Sequence, residues 1–539
     1  MTITQRILNG LHDDVNSFMA SIAPIALPEP GLHTYRFKVG GDREFRIHLR
    51  IEPQGHGVLF VDVTDVIHLN TTAAHMAKMA LDAIPLKRAR AELLLRYPVI
   101  SLAQIDRELT QIYQMVEGFS EFDSHCATCA IADLADVAPL FSVKVNAPYK
   151  VDIALTYGCN NACPHCYNEN DRLDMLSLPL EQWKDVLEKI AAIGVPHVIL
   201  TGGEATLHPD LPRIIELGDR LGMIMGLNTN GRHIAHPGYM RELADAGLNH
   251  VQVTLGSCHA EIHDAMMGAK SFKQTVRGIQ NAVESRVHTI TNTTLMRSNM
   301  DHVDQIINFI HDIGITTFAM NGMIYSGGGF SHPTAIPQEA LPPLLVHVRN
   351  HSERLGMRFL WYTPTEYCMM SRVEIEIGAK RCNAGEYSLC IEPNGDVLPC
   401  QSYYVSAGNI LQDPWEEIWH SDLFVSFRDR EADPKKYGLP EKCWECPDLP
   451  LCGGGCRIER EAREGVRVSE QGGGGCSGCS GSCGTAHSAS IVRNLNPTAG
   501  YVSTDGYAPP VSQISTKHRA SGDMPLITLD DIGVSQEHE

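Results

Sequence analysis

At 539 residues, with 43% apolar and 20% charged side chains, the chain has the composition of a globular protein and length for about three domains. A formal net charge of −20 argues against nucleic acid as the main partner, because phosphate neutralisation needs a basic face, though a local basic groove is compatible with it. No apolar run approaches a membrane span, and "MTITQRILNGLHDDVNSF" lacks the basic and apolar pattern of a secretion signal. A cytoplasmic protein with no membrane partner is therefore expected, in which 17 cysteines point to metal or redox chemistry and not to disulfides.

The first hundred residues read as a small antiparallel sheet followed by helices. In "EFRIHLRI", Phe45, Ile47, Leu49 and Ile51 share one face and Arg46, His48 and Arg50 the other. "GVLFVDV" is a further strand. "NTTAAHMAKMALDAI" opens on an Asn or Thr cap and continues at helical spacing, as do "KRARAELLLRY" and "LAQIDRELTQIYQMV". The β-β-β-α-α-α order is that of a winged-helix module, expected over 1–120, with a linker at 121–146 that contains Cys126 and Cys129.

From residue 147 the pattern becomes strand, turn, helix, repeated. Strands are expected at "KVDIALT", "HVILTGG", "IMGLNTNG", "HVQVTLG", "HTITNTTL" and "TTFAMNGMI", with amphipathic helices such as "LEQWKDVLEKIAAIG", "SFKQTVRGIQNAVES" and "HVDQIINFIHDIG" between them. Six such units imply an α/β fold with a parallel sheet curled into a partial (β/α)6 barrel over 147–377, whose working residues sit at the C-terminal strand ends. A cysteine- and glycine-rich region follows at 378–485. The small, polar remainder at 486–539 has the composition of a disordered tail.

Directly after the first barrel strand comes "TYGCNNACPHCYNEN", with Cys159, Cys163 and Cys166 at spacings CxxxCxxC. A 4Fe-4S cluster held by three thiolates leaves one iron free, whereas a zinc knuckle would need a distant fourth ligand. The motif, at the end of a barrel strand, resembles that of the radical S-adenosylmethionine (SAM) enzymes. The resemblance implies that SAM chelates the open iron through its amino and carboxylate groups and is cleaved to a 5′-deoxyadenosyl radical. "LTGGEATLHPDL" on the second strand matches the family's GGE turn at Gly202, Gly203 and Glu204. Glycines permit close backbone approach to a ligand, and the carboxylate can take the methionine ammonium group. "NTNG" and "VTLGS" end the next two strands, so Asn228, Asn230 and Thr254 are candidates to contact SAM, or are ordinary turn residues. Here the chain departs from its relatives, with Gly256 where they carry aspartate and Met267 where they carry arginine.

Further on, Cys382, then Gly395, then Cys400, followed by "CWECPDLPLCGGGC" with Cys443, Cys446, Cys452 and Cys456, resembles the SPASM extension of peptide- and protein-modifying radical SAM enzymes. That resemblance implies two auxiliary 4Fe-4S clusters, hence three in all. One would use Cys382, Cys400 and Cys456 with Cys390 as fourth ligand. The other would use Cys443, Cys446, Cys452 and one cysteine of "CSGCSGSC", of which Cys476 comes first and follows four glycines. A pair of zinc sites is the alternative. Cys368 carries no motif, Cys258 is either a cavity-facing hydrogen donor or a small core residue, and the 25 histidines show no metal-ligand spacing.

"VTDVIHLNTTAAHMAKMALDAI" resembles the PqqD-like element that binds a precursor peptide along a sheet edge. The expected protein is a radical SAM/SPASM enzyme that oxidatively modifies a ribosomally made peptide or a protein. Its electron donor would be a flavodoxin or ferredoxin. Cofactor or haem maturation on a small molecule is the alternative within enzymes. An iron-sulfur electron carrier or scaffold is the alternative outside them, and a carrier has no use for the GGE turn.

Overall fold

The computed structural model describes residues 25–466 except 40–42, 62–64, 99, 119–140, 142–143, 286 and 331. Cys126, Cys129, Cys476, Cys479, Cys483 and the 486–539 tail lie outside the described residues.

The N-terminal module has four strands where the sequence suggested three. β1 (Gly31–Val39), β2 (Arg43–Ile51), β3 (Gly57–Val61) and β4 (Asp65–Leu69) form an antiparallel meander in chain order. β3 takes up Gly57–Val61 of the run "GVLFVDV", and β4 returns alongside it with Leu59 opposite Ile67. Three helices follow, α1 (Thr71–Leu81), α2 (Leu86–Arg96) and α3 (Leu102–Gly118). The Asn70 side chain caps α1 by accepting from the Ala73 amide at 2.9 Å.

Both faces of this sheet are buried, which the alternation in β2 did not suggest. Ile47, Leu49, Ile51, Leu59 and Ile67 pack on the three helices. The opposite face, expected to be solvated because it carries Arg46, His48 and Arg50, is docked on the barrel with those residues 5%, 1% and 2% exposed. Val58, Phe60 and Val66 join the barrel's own apolar core, and Phe60 meets Tyr149 edge to face at 5.1 Å. The basic groups are paired, as burial requires. Arg46 donates to the Met223 carbonyl at 2.7 Å and pairs with Asp219. His48 bonds the Gly222 carbonyl at 2.7 Å. Arg50 pairs with Glu52 at 2.8 Å and donates to the Pro148 carbonyl at 3.1 Å.

The barrel strands run β5 (Lys150–Thr156), β6 (His197–Gly202), β7 (Ile224–Thr229), β8 (His250–Thr254), β9 (His288–Thr294), β10 (Thr317–Asn321) and β11 (Arg358–Trp361), all parallel and adjacent in sequence order. The helices between them are α4 (Leu180–Ile193), α5 (Leu211–Arg220), α6 (Pro237–Asp245), α7 (Ala260–Met267), α8 (Phe272–Glu284), α9 (Val303–Asp312) and α10 (Leu341–Arg354). All of these except α7 turn buried residues into one core that includes Trp183, Leu187, Ile214, Leu243, Ile279, Ile307 and Leu345.

The sheet continues beyond the barrel. β12 (Ser388–Ile391), from the cysteine-rich region, pairs in parallel with β5, and β13 (Val397–Leu398) closes the far edge, giving nine strands. Four short helices complete that region, α11 (Trp415–Trp419), α12 (Asp422–Arg428), α13 (Leu449–Cys452) and α14 (Arg457–Arg463). Among the described residues no helix is long and apolar enough to cross a membrane.

Burial lowers the pKa of His48 to about 4, below its unfolded value of about 6.5. Between those values the unfolded chain holds the extra proton, so this contribution to stability is present above pH 6.5 and is lost as pH falls toward 4. Thermal denaturation from pH 7.5 to 4.5 should therefore show a falling midpoint, and His48→Gln should remove part of that slope.

Candidate active site

The cysteine loop leaves the C-terminal end of β5 and is held backbone against backbone. The Gly203 amide donates to the Thr156 carbonyl at 2.7 Å, and the Glu204 amide donates to the Gly158 carbonyl at 2.9 Å. A Cβ on Gly202, whose φ is +135°, would stand 2.1 Å from the Thr156 oxygen. One on Gly203 would stand 2.3 Å from the Tyr157 oxygen. The two glycines of the GGE turn thus admit the chelating loop itself, a closer constraint than ligand approach. A second glycine surface seats the loop from the other side. The Gly328 amide donates to the Cys166 carbonyl at 2.8 Å, and a Cβ on Gly327 or Gly328 would lie 2.5 Å from Asn168 oxygen or 2.4 Å from Pro164 oxygen. "SGGGF" carried no assigned role in the sequence, although three adjacent glycines after a barrel strand are a visible signal of close backbone approach.

Glu204 is 1% exposed and its carboxylate is bonded to the chain through both oxygens. Oε1 accepts from Thr206 Oγ1 at 2.6 Å, Thr229 Oγ1 at 2.7 Å and the Thr206 amide at 3.1 Å; Oε2 accepts from the Asn230 amide at 2.7 Å. It ties the end of β6 to the end of β7. Asn230 extends this tie to the cysteine loop, its amide nitrogen donating to Asn160 Oδ1 at 2.6 Å. Asn228 and Thr254 line the cavity above the barrel.

The two departures from the family pattern meet in space. A Cβ at Gly256 would lie 3.2 Å from both Met267 Cε and Met266 Sδ. The Met267 carbonyl accepts from the Ala162 amide at 3.0 Å, and its sulfur is 4.0 Å from Cys163 Sγ. Met266, Met267, Met296 and Met323 form one apolar cluster with Cys163 at its margin.

A cavity of about 420 Å³ joins the cysteine loop to the cysteine-rich region. Cys159, Cys163 and Cys166 line one end, and Cys382, Cys400 and Cys456 the other. Between them stand Lys150 and Asp152 of β5, paired at 3.3 Å, together with His250, Asn292, Asn321, Tyr362 and Lys380. Burial raises the Asp152 pKa, against the pull of Lys150. It pushes the Cys163 thiol up to about 12 and, with Cys382 beside it, the Cys456 thiol to about 12. His250 is driven down to about 3 by burial, and its Nε2 is 2.8 Å from that of His197.

Cys382, Cys400 and Cys456 border one apolar cluster around Tyr403 and Phe427. Cys390 does not join them. It is wholly buried on β12 in a separate cluster with Ala154, Tyr157, Leu398 and Tyr404, where a thiol serves as a small apolar side chain. Cys443 and Cys446 share a third cluster with Leu439 and Leu449. Cys258 is half-buried and does not line the cavity. Among the described residues no three His, Cys, Asp or Glu side chains converge as closely as a single metal ion needs. Cys159, Cys163 and Cys166 line one end of a shared cavity, and three thiols are a donor set that fits an iron-sulfur cluster.

A buried network ties the two cysteine regions together. Arg172, just past the loop, donates to both Glu392 oxygens at 2.8 and 2.7 Å, and Tyr157 donates to Glu392 at 2.9 Å. The Arg172 guanidinium lies over the Tyr404 ring at 4.8 Å, and the Tyr404 hydroxyl donates to Asn168 Oδ1 at 3.0 Å.

Residues 153–310 match the Radical SAM superfamily, and residues 382–447 match the SPASM iron-sulfur cluster-binding domain. The chain is 29% identical to the mycofactocin maturase MftC of Mycobacterium tuberculosis, over 59% of this chain and 80% of that protein. It is 28% identical to the PqqA peptide cyclase of Streptomyces rochei, over 58% and 86%, and 26% identical to the AdoMet-dependent heme synthase of Methanosarcina barkeri, over 60% and 96%. The fold is shared with the crystal structure of Streptococcus suis SuiB bound to S-adenosylmethionine, at a TM-score of 0.59 and 17% identity over 78% of this chain and 96% of that one.

Gly202→Ala should disorganise the chelating loop, since its backbone conformation alone costs an alanine about 1–3 kcal/mol before the clash with Thr156 is counted. Iron analysis after anaerobic reconstitution should show about four irons fewer per chain.

Proposed function

We propose that this radical SAM/SPASM enzyme oxidatively modifies a ribosomally made peptide or a protein side chain. The observation that carries the reading is the single cavity lined by Cys159, Cys163 and Cys166 at one end and by Cys382, Cys400 and Cys456 at the other. In this reading the chain holds three 4Fe-4S clusters, one on the barrel loop, one on Cys382, Cys400 and Cys456, and one on Cys443, Cys446 and Cys452. When bound, the loop cluster with SAM supplies a 5′-deoxyadenosyl radical for hydrogen abstraction, and the auxiliary clusters supply an acceptor for the surplus electron.

The chain's own residues have three tasks. Lys150, Asp152, Asn292 and Asn321 offer charges and amides that can orient a peptide segment inside the cavity. The methionine cluster keeps water from the Cys163 side of the loop, which protects a reactive species from quenching. Asn228, Asn230 and Thr254 stand at the strand ends where SAM would lie, and Glu204 fixes Asn230 through its backbone amide while Oε2, with that one hydrogen bond, keeps acceptor capacity for the methionine ammonium group.

The N-terminal module is the candidate peptide-recognition element. β1 and β4 are its outer strands, and an open strand edge can take up an extended peptide as a further strand. The likeness to SuiB spans 78% of the chain, a share that residues after 146 alone cannot supply. The SuiB fold is also matched in its complex with the precursor peptide SuiA, at a TM-score of 0.57. MftC and PqqA cyclase add weight to a peptide substrate. The heme synthase likeness supports a second reading, maturation of a small-molecule cofactor. An external one-electron donor of flavodoxin or ferredoxin type is required in both.

Where a neighbouring reading frame encodes a short peptide, co-expression with it should yield a peptide of altered mass in tandem mass spectrometry. Replacing Cys159, Cys163 and Cys166 together with alanine should abolish that change and all 5′-deoxyadenosine formation, and remove about four irons per chain. An unaltered peptide from the intact enzyme would favour the small-molecule reading, and 5′-deoxyadenosine from the triple variant would sink the assignment of the loop.

A further inference from the structure

Cys368 belongs to no motif, yet the fold brings it to the second set of SPASM cysteines. The segment from Thr365 to Cys368 follows β11 and lies against the "CGGGC" turn and the residues around Cys443. The Tyr367 amide donates to Cys452 Sγ at 3.3 Å, and that sulfur is 3.7 Å from the Thr365 carbonyl. Lys442, the residue before Cys443, donates from Nζ to Cys368 Sγ at 3.4 Å and to Glu366 Oε2 at 2.5 Å. Arg463 of α14 donates to the other Glu366 oxygen at 2.9 Å. Two cations on separate elements thus pin the segment in place.

The turn between Cys452 and Cys456 is shaped to receive it. Gly453, Gly454 and Gly455 have φ of +58°, +74° and +70°, a left-handed run that only glycine adopts without strain. A Cβ on Gly455 would come within 2.9 Å of Glu366 Cγ and 3.0 Å of the Glu366 amide nitrogen. Cys368 is exposed, so nothing in its packing requires a thiol there. A structural role would be met by any small polar residue.

We propose that Cys368 is the fourth thiolate of the auxiliary iron-sulfur cluster held by Cys443, Cys446 and Cys452. The proposal rests on the reading above that these three cysteines hold a cluster. Each corner iron takes one thiolate, and Cys368 closes the last corner from the N-terminal side of the region. Lys442 offsets part of the added negative charge, and the Tyr367 amide bond to a ligand sulfur is of the kind that tunes cluster potential. Ligation from this side leaves Cys476, Cys479 and Cys483 free of the cluster, in place of the assignment of Cys476 that the sequence suggested.

The test uses the full-length chain with Cys159, Cys163 and Cys166 replaced by alanine, so that all bound iron is auxiliary. This parent and its Cys368→Ala, Cys368→Ser and Cys476→Ala derivatives are reconstituted anaerobically, then compared for iron, sulfide and EPR signal before and after mild oxidation. The parent should hold about eight irons. Both Cys368 variants should lose one cluster, or convert it to a three-iron form on oxidation, while the other cluster's signal persists. Cys476→Ala should match the parent. Cys368 variants identical to the parent, or loss arising from Cys476→Ala instead, would overturn the proposal. Loss of both clusters from Cys368→Ser, which preserves side-chain size, would overturn it as well, because one ligand serves one cluster. A parent without auxiliary iron would instead remove the cluster reading on which the proposal stands.

Discussion

The chelating loop is fixed by contact of main chain on main chain. Gly202 and Gly203 press on the carbonyls of Thr156, Tyr157 and Gly158 from one side, and Gly327 and Gly328 press on those of Pro164, Cys166 and Asn168 from the other. No side chain can stand in for such contacts, because any Cβ would enter the space of a carbonyl oxygen. Three thiols can hold three corners of a cluster only if the loop carrying them does not relax, and these glycines supply the rigidity. Glu204 then locks the two strand ends above them with four hydrogen bonds, so that loop, GGE turn and the end of β7 move as one body.

Much of this was legible in the sequence. Barrel strands such as β5, β6 and β10 carry the apolar residues expected of strands buried on both faces, and the cysteine spacings are too specific to arise from packing. What the sequence hid was which face of an alternating strand meets solvent. Arg46, His48 and Arg50 look like an exposed face, but a basic residue can be buried when carbonyls and carboxylates await it, and apart from Glu52 those belong to residues 148 to 223, far along the chain. β11 and β12 were missed because "RFLW" and "SLCI" are short, and β12 pairs with β5, a strand remote in sequence. Cys390 shows the same limit for ligands. Spacing cannot distinguish a thiol turned to a cavity from one turned into the core between Tyr157 and Tyr404.

Met267 packs at the margin of the cysteine loop without a charge. Its thioether lies over Gly256 and within the cluster of Met266, Met296 and Met323, a flexible apolar filling that leaves no buried group in need of a counter-charge.

β12 lies in the barrel's sheet although it comes from the cysteine-rich region. Its ladder with β5, Ser388 opposite Lys150 through Ile391 opposite Ile153, covers the edge of the first barrel strand. A chain cut at the border between the two regions would uncover that edge as a row of unpaired amides and carbonyls beside an apolar core. Such an edge is a template for pairing with another molecule. The cysteine-rich region therefore closes an edge of the barrel's sheet as well as lining one end of its cavity.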